Sequence, residues 1–159
     1  MNTKSTAILS GVFCALMCLN SYQAVAETKF EANPVIALTC GFVGATVVAI
    51  IDLRVFQNPS NERYYAVVKT NYKISGRVTL GEPKVFPASK HSENSILYWA
   101  DYKEEYIGMQ LSKKKSGKIV DFKTGIVTSI EEVNGQMQEG YKNECNYEPN
   151  NMNKLWLTE

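Results

Sequence analysis

Histidine is nearly absent, cysteine is sparse, and charge of neither sign is in excess. The chain of 159 residues holds one His and four Cys, and its 17 Lys+Arg meet 16 Asp+Glu. One imidazole without paired cysteines does not approach the ligand set of a zinc site. A near-neutral chain has no global field to gather polyanions, so nucleic acid is not an expected partner. With 45% hydrophobic and 21% charged residues, the composition is that of one globular domain and excludes a disordered or collagen-like chain. Helical periodicity is also missing along the whole length.

What is present begins with an export pattern. Lys4 is followed by an uncharged stretch from Ser5 to Leu19 and then by Ala24-Val25-Ala26. A charged start, an apolar middle and an A-x-A end predict a signal peptide over residues 1–26, cleaved to leave a single β domain over 27–159. The apolar part is shorter than the roughly 20 residues of a spanning helix. Cys18 follows Leu16-Met17 rather than small residues, so Cys14 and Cys18 are expected to leave with the signal instead of carrying a lipid. The expected location is periplasmic or secreted. No Asn-x-Ser/Thr sequon follows residue 26, which leaves a bacterial origin unopposed. The remaining cysteines, Cys40 and Cys145, predict one disulfide tying the first strand to the last.

Twenty consecutive residues from Ala32 to Ile51 carry no charge. One reading is a membrane-anchoring helix at 34–51. Pro34, Gly41, Gly44 and many β-branched residues favour two strands instead, Val35–Cys40 and Ala45–Phe56, joined around Gly41-Phe42-Val43-Gly44. No stable membrane insertion is then expected after signal cleavage. A loop at Asn58-Pro59-Ser60-Asn61 precedes a strand over Arg63–Thr70. A weaker strand, Lys73–Leu80, is interrupted by Gly76. Lys84–Phe86 reads as a short edge piece between Pro83 and Pro87, and Ala88–Asn94 as a loop.

In the second half, Ile107, Met109 and Leu111 alternate with Gly108 and Gln110 like one face of a strand. Turns are expected at Ser116-Gly117, at Thr124-Gly125 and at Asn134-Gly135, the last being the strongest hairpin signal in the chain. Met137, Tyr141, Cys145 and Tyr147 fall on one face of the following strand, expected to be the inner one. The tail from Pro149 either frays or docks Leu155-Trp156-Leu157 as an apolar clip. About eight antiparallel strands without crossover helices make an all-β domain, a small β-barrel or a β-sandwich with one disulfide. In size, and in cysteines near the first and last strands, the architecture is loosely similar to the small disulfide-tied β-barrels of bacterial periplasmic lysozyme inhibitors, but it carries no inhibitor motif.

For function, His91 lies in polar Ser89-Lys90-His91-Ser92 and reads as a solvated loop. A carboxylate pair drawn from Asp101, Glu104, Glu105, Glu131 and Glu132 would suit a small envelope hydrolase, although solvated strand ends explain the same residues. No catalytic set, cofactor or metal is expected. Lys113, Lys114, Lys115 and Lys118 form the densest charge cluster, at an expected hairpin tip, and Tyr98-Trp99 forms an aromatic pair near Tyr102. These are the candidate partner-binding residues. The expected role is a noncatalytic binding protein of inhibitor, immunity or adhesion type, whose partner is a protein or an envelope polymer. A carboxylate-dependent hydrolase and a structural envelope component are the alternatives.

Overall fold

A computed structural model describes residues 28–43 and 47–158; the expected signal peptide lies outside them. The chain is all-β: β1 (Lys29–Val43), β2 (Val47–Gln57), β3 (Tyr64–Ile74), β4 (Arg77–Thr79), β5 (Lys84–Ser92), β6 (Ser95–Ile107), β7 (Gln110–Asp121), β8 (Ile126–Val133), β9 (Gln136–Glu144), β10 (Asn146–Tyr147) and β11 (Leu155–Thr158), with a short 3-10 turn at Pro149–Asn151. The strand count exceeds the expected eight. All eleven belong to one antiparallel sheet in the order β10-β1-β2-β3-β5-β6-β7-β8-β9, with β11 on β1 and β4 on β3, and β9 does not pair with β1.

The uncharged run forms strand, not helix: Asn33–Val43 pairs with Val48–Gln57 along β1 and β2. Pro34 is accommodated because the ladder slips beside it, between Pro34 and Ile36, where a missing N–H costs no central hydrogen bond. The strand also continues through Gly41, Phe42 and Val43, which face Ile50, Ala49 and Val48, where a turn was expected; Gly44 lies outside the described residues. No helix among the described residues is long and apolar enough to cross a membrane.

Side chains on one face of the sheet form the main core: Ile36, Leu38 and Cys40 of β1, Leu53 and Val55 of β2, Ala66 of β3, Ile96 and Tyr98 of β6, Val120 of β7 and Val127 of β8. Strands so far apart in the ladder share one cluster only if the sheet curls on itself. The opposite face of β1–β3 carries a second cluster, where Ala32, Phe56, Tyr65 and Val67 meet Leu157 of β11. The tail therefore docks rather than frays, pairing Leu155–Thr158 with Lys29–Ala32.

Cys40 and Cys145 are bonded, with Cα atoms 4.5 Å apart. The register explains why. Leu38 faces Tyr147 and Thr39 faces Asn146, and one further step of that register sets Cys40 opposite Cys145 at cross-strand distance. Of the four residues expected on one inner face, only Cys145 packs on the core; Met137, Tyr141 and Tyr147 are exposed. A bulge in the β8–β9 ladder, between the Thr128–Lys142 and Ile130–Glu139 pairs, breaks the period-two rule that linked Met137 and Tyr141 to Cys145, and Tyr147 lies on β10 at the end of the sheet order.

The turns divide into those the local chemistry announces and one it conceals. Asn134 and Gly135 both have positive φ, 50° and 84°, as a two-residue type I′ hairpin requires, and Gly125 (φ 70°) closes the β7–β8 turn with its N–H on the Asp121 carbonyl at 3.0 Å. The Asp121 carboxylate accepts the backbone N–H groups of Lys123 and Thr124 at 2.9 and 2.8 Å, and these bonds hold it below the usual carboxylate range. Ser116-Gly117, by contrast, lies inside β7. The β6–β7 turn is Gly108-Met109, because Ile107 already faces Gln110 and Gly108 supplies the positive φ (64°) of a type II′ turn.

Candidate functional site

The feature that organises the surface is β5, a nine-residue strand where a short edge piece and a loop were expected. Its first half, Lys84–Ala88, pairs with β3; from Ala88 to Ser92 it pairs with β6. The strand changes partner at Ala88, so Pro87 sits where β5 has a neighbour on one side only. That placement is why a proline survives inside the sheet. Toward its start β5 no longer pairs with β6, leaving a seam whose β5 side, Lys84–Pro87, carries no second ladder among the described pairings.

On the outer face of the seam lies an open groove of about 920 Å³. Val85, Pro87, Leu97 and Trp99 form its apolar part, Tyr65 closes one side, and Glu62, Arg63 and Lys90 supply charge at the rim. Trp99 is held in place from across the ladder. It pairs with Gly117, where a Cβ would stand 2.8 Å from the Trp99 ring and 2.4 Å from the Tyr98 carbonyl oxygen. The Lys115 ammonium sits 5.5 Å from the same ring, within cation–π range. Gly117→Ala is therefore expected to destabilise the domain by about 2 kcal/mol through overpacking and to alter Trp99 fluorescence. Wild-type stability and emission would show that the indole does not rest on Gly117.

The lysine cluster is not a hairpin tip. Lys113, Lys114, Lys115 and Lys118 are spread along β7, and alternation sends them to opposite faces. Lys113 and Lys115 share the outer face with Gly117, whereas Lys114 and Lys118 share the inner face with Val120. Three are matched by carboxylates: Lys113 with Glu104 at 3.7 Å, Lys114 with Glu131 at 3.0 Å and Lys115 with Glu132 at 3.0 Å. Such exposed pairs contribute little stability, but they cancel much of the local field. Tyr98 likewise does not face outward. It is 3% exposed, stacks on Phe86 with centroids 5.5 Å apart, and burial raises its phenol far above the ordinary range. Trp99 is the half-buried member of the pair.

Asp101, Glu104, Glu105, Glu131 and Glu132 line none of the three cavities found among the described residues. Each of these cavities holds one other carboxylate: Glu62 in the groove, Asp52 in a small polar pocket with Arg54 and Lys69, and Glu82 at the half-open cavity on the inner face of the seam. A two-carboxylate glycosidase geometry is not assembled in any of the three. His91 is exposed at a slip in the β5–β6 ladder between Lys90 and Ser92, and the neighbouring hydroxyls of Ser92 and Ser95 bond each other at 2.6 Å. No group of three or more His, Cys, Asp or Glu side chains that could hold a metal occurs among the described residues.

On the inner face of the seam, Ile51, Val68, Phe86 and Tyr98 line a cavity of about 390 Å³ into which Lys118 projects. Lys118 directly opposes Tyr98 across the ladder and donates to Ser129 Oγ at 2.5 Å. Sequence reasoning grouped this lysine with its neighbours in the chain; alternation along a strand through that position was the signal that would have separated it. Compared with known families, curated proteins and solved structures, the chain matches none.

Proposed function

We propose that this protein is an exported, noncatalytic binding protein of inhibitor, immunity or adhesion type, and that it recognises another protein by receiving an extended segment in the groove along the seam. The observation that carries this reading is the unpaired side of Lys84–Pro87 lying beside Leu97 and Trp99. A strand edge offers main-chain hydrogen bonds to an extended peptide, and adjoining apolar side chains supply specificity. A tryptophan anchored by its own neighbours also loses little freedom on binding, which favours a hot spot. On the same reading the curled sheet is an open barrel, unclosed between β9 and β1, rather than a two-sheet sandwich. Paired lysines, and carboxylates that share no cavity, give less support to an electrostatic binding surface on β7 or to a hydrolase.

The test uses the mature, disulfide-bonded protein as bait for periplasmic and secreted proteins, followed by titration of the captured partner. Val85→Arg, at a groove residue that is 47% exposed, should leave the circular dichroism spectrum unchanged and weaken the partner by about tenfold or more. Unchanged affinity would place the contact elsewhere. Turnover of a glycan or peptide, lost in Asp101→Asn, would replace the binding reading with the hydrolase.

A further inference from the structure

We propose that the half-open cavity on the inner face of the seam is a second binding site, independent of the outer groove, and that it takes a single-chain amphiphile headed by a carboxylate, with the Lys118 ammonium as its counter-charge. The two sites share no lining residue and lie on opposite faces of the sheet.

The chemistry of the cavity is divided as such a ligand is divided. Ile51, Val68, Phe86 and Tyr98 offer apolar walls, and a volume of about 390 Å³ falls within the roughly 300–1,000 Å³ of small-molecule sites. Against those walls stands one half-buried cation. No carboxylate lies within ion-pair distance of Lys118 among the described residues; its Nζ donates to Ser129 Oγ and lies 5.9 Å from the Phe42 ring. The two charges at the rim, Glu82 and Lys84, are of opposite sign, so Lys118 sets the sign of the interior. Burial lowers its pKa, which marks a partly desolvated ammonium lacking the counter-ion that would restore it. An anionic head group supplies that partner, and the neutral phenol of Tyr98 across the ladder remains a hydrogen-bond donor.

The way in has the same character. By the direction of the ladders, the end of β1, the β3–β4 and β6–β7 turns and the start of β5 stand at one end of the sheet, toward which the cavity extends past Tyr72 and Gly81. Val43, Ile74, Val78, Leu80, Tyr106 and Met109 are all exposed there. A concentration of exposed apolar side chains at one end is unusual for a surface facing only water. It suits a mouth through which an acyl chain passes.

The experiment is calorimetric titration of the mature, oxidised protein with decanoate, decanol and decyl phosphate. Decanoate should bind saturably. Lys118→Met, which keeps length and removes charge, should weaken decanoate by about tenfold or more while leaving decanol within about twofold and thermal stability undiminished. Val68→Phe, which fills the cavity, should weaken decanoate and decanol alike. No saturable decanoate binding by the wild-type protein would overturn the proposal, as would equal decanoate affinity in wild type and Lys118→Met. Decyl phosphate binding tighter than decanoate by about tenfold would overturn the carboxylate assignment in favour of a phosphate head group. None of these outcomes depends on whether a protein occupies the groove.

Discussion

Removal of the disulfide in a Cys40→Ala/Cys145→Ala double variant is expected to lower the stability of the β domain by about 4 kcal/mol. The bond joins residues 105 positions apart, and chain entropy makes a cross-link over so long a loop among the most effective. The topology adds a second reason. Among the described pairings β11 meets β1 at Lys29–Ala32, away from the main core, and beside that core the C-terminal strands reach β1 through the two-residue contact of β10, since β9 pairs with β8 alone. Without the bond, Cys145 and the edge of the main core lose their fixed position against Cys40, which is 1% exposed. Thermal unfolding should show a decrease in Tm on the order of 10–15 °C. A loss below about 1 kcal/mol would show that the curled sheet holds its edges together without the bridge.

Phe56→Ala should cost about 3–5 kcal/mol and should also release the C-terminal clip. Phe56 is fully buried, yet it points away from the main core into the smaller cluster with Ala32, Tyr65, Val67 and Leu157. The Arg54 guanidinium lies 5.9 Å from its ring, adding a contact that alanine cannot replace. Because β11 pairs with Lys29–Ala32 alone among the described residues, removing the ring packed with Leu157 takes away most of what a four-residue strand can bury. Limited proteolysis should therefore cut near Asn153-Lys154 much faster in the variant, alongside a lower denaturation midpoint. A variant with normal stability and a resistant tail would mean that backbone pairing alone holds β11.

How far the fold could be read in the sequence depended on whether local chemistry and tertiary context agreed. They agreed at Asn134-Gly135, where residue type and required φ coincide, and at Asn58, whose side chain accepts the Ser60 N–H at 2.9 Å in the loop its composition announces. They agreed at the cysteines, since the expected loss of Cys14 and Cys18 leaves an even pair whose bond the strand register realises. They disagreed at Gly117, which resembles a turn glycine but is required because an indole crosses the ladder above it. The β6–β7 turn was hidden for the converse reason: Ile107, Met109 and Leu111 imitate alternation through Gly108-Met109. Pro83 and Pro87 concealed β5, because nothing in the sequence says that this strand changes partner at Ala88. The same omission concealed the seam, so the aromatic Trp99 was legible as a candidate while its groove was not. Lys118 was visible only as part of a charge run, since its separation from Lys113 and Lys115 follows from a strand that the sequence appeared to break.

The most direct test of recognition at the seam is amide hydrogen exchange on the complex with the captured partner, compared with the protein alone. Binding of an extended segment along the groove should slow exchange in Lys84–Ser89 and Leu97–Asp101, with Lys113–Glu132 unchanged. Protection confined to Lys113–Glu132, with none along β5, would contradict the account.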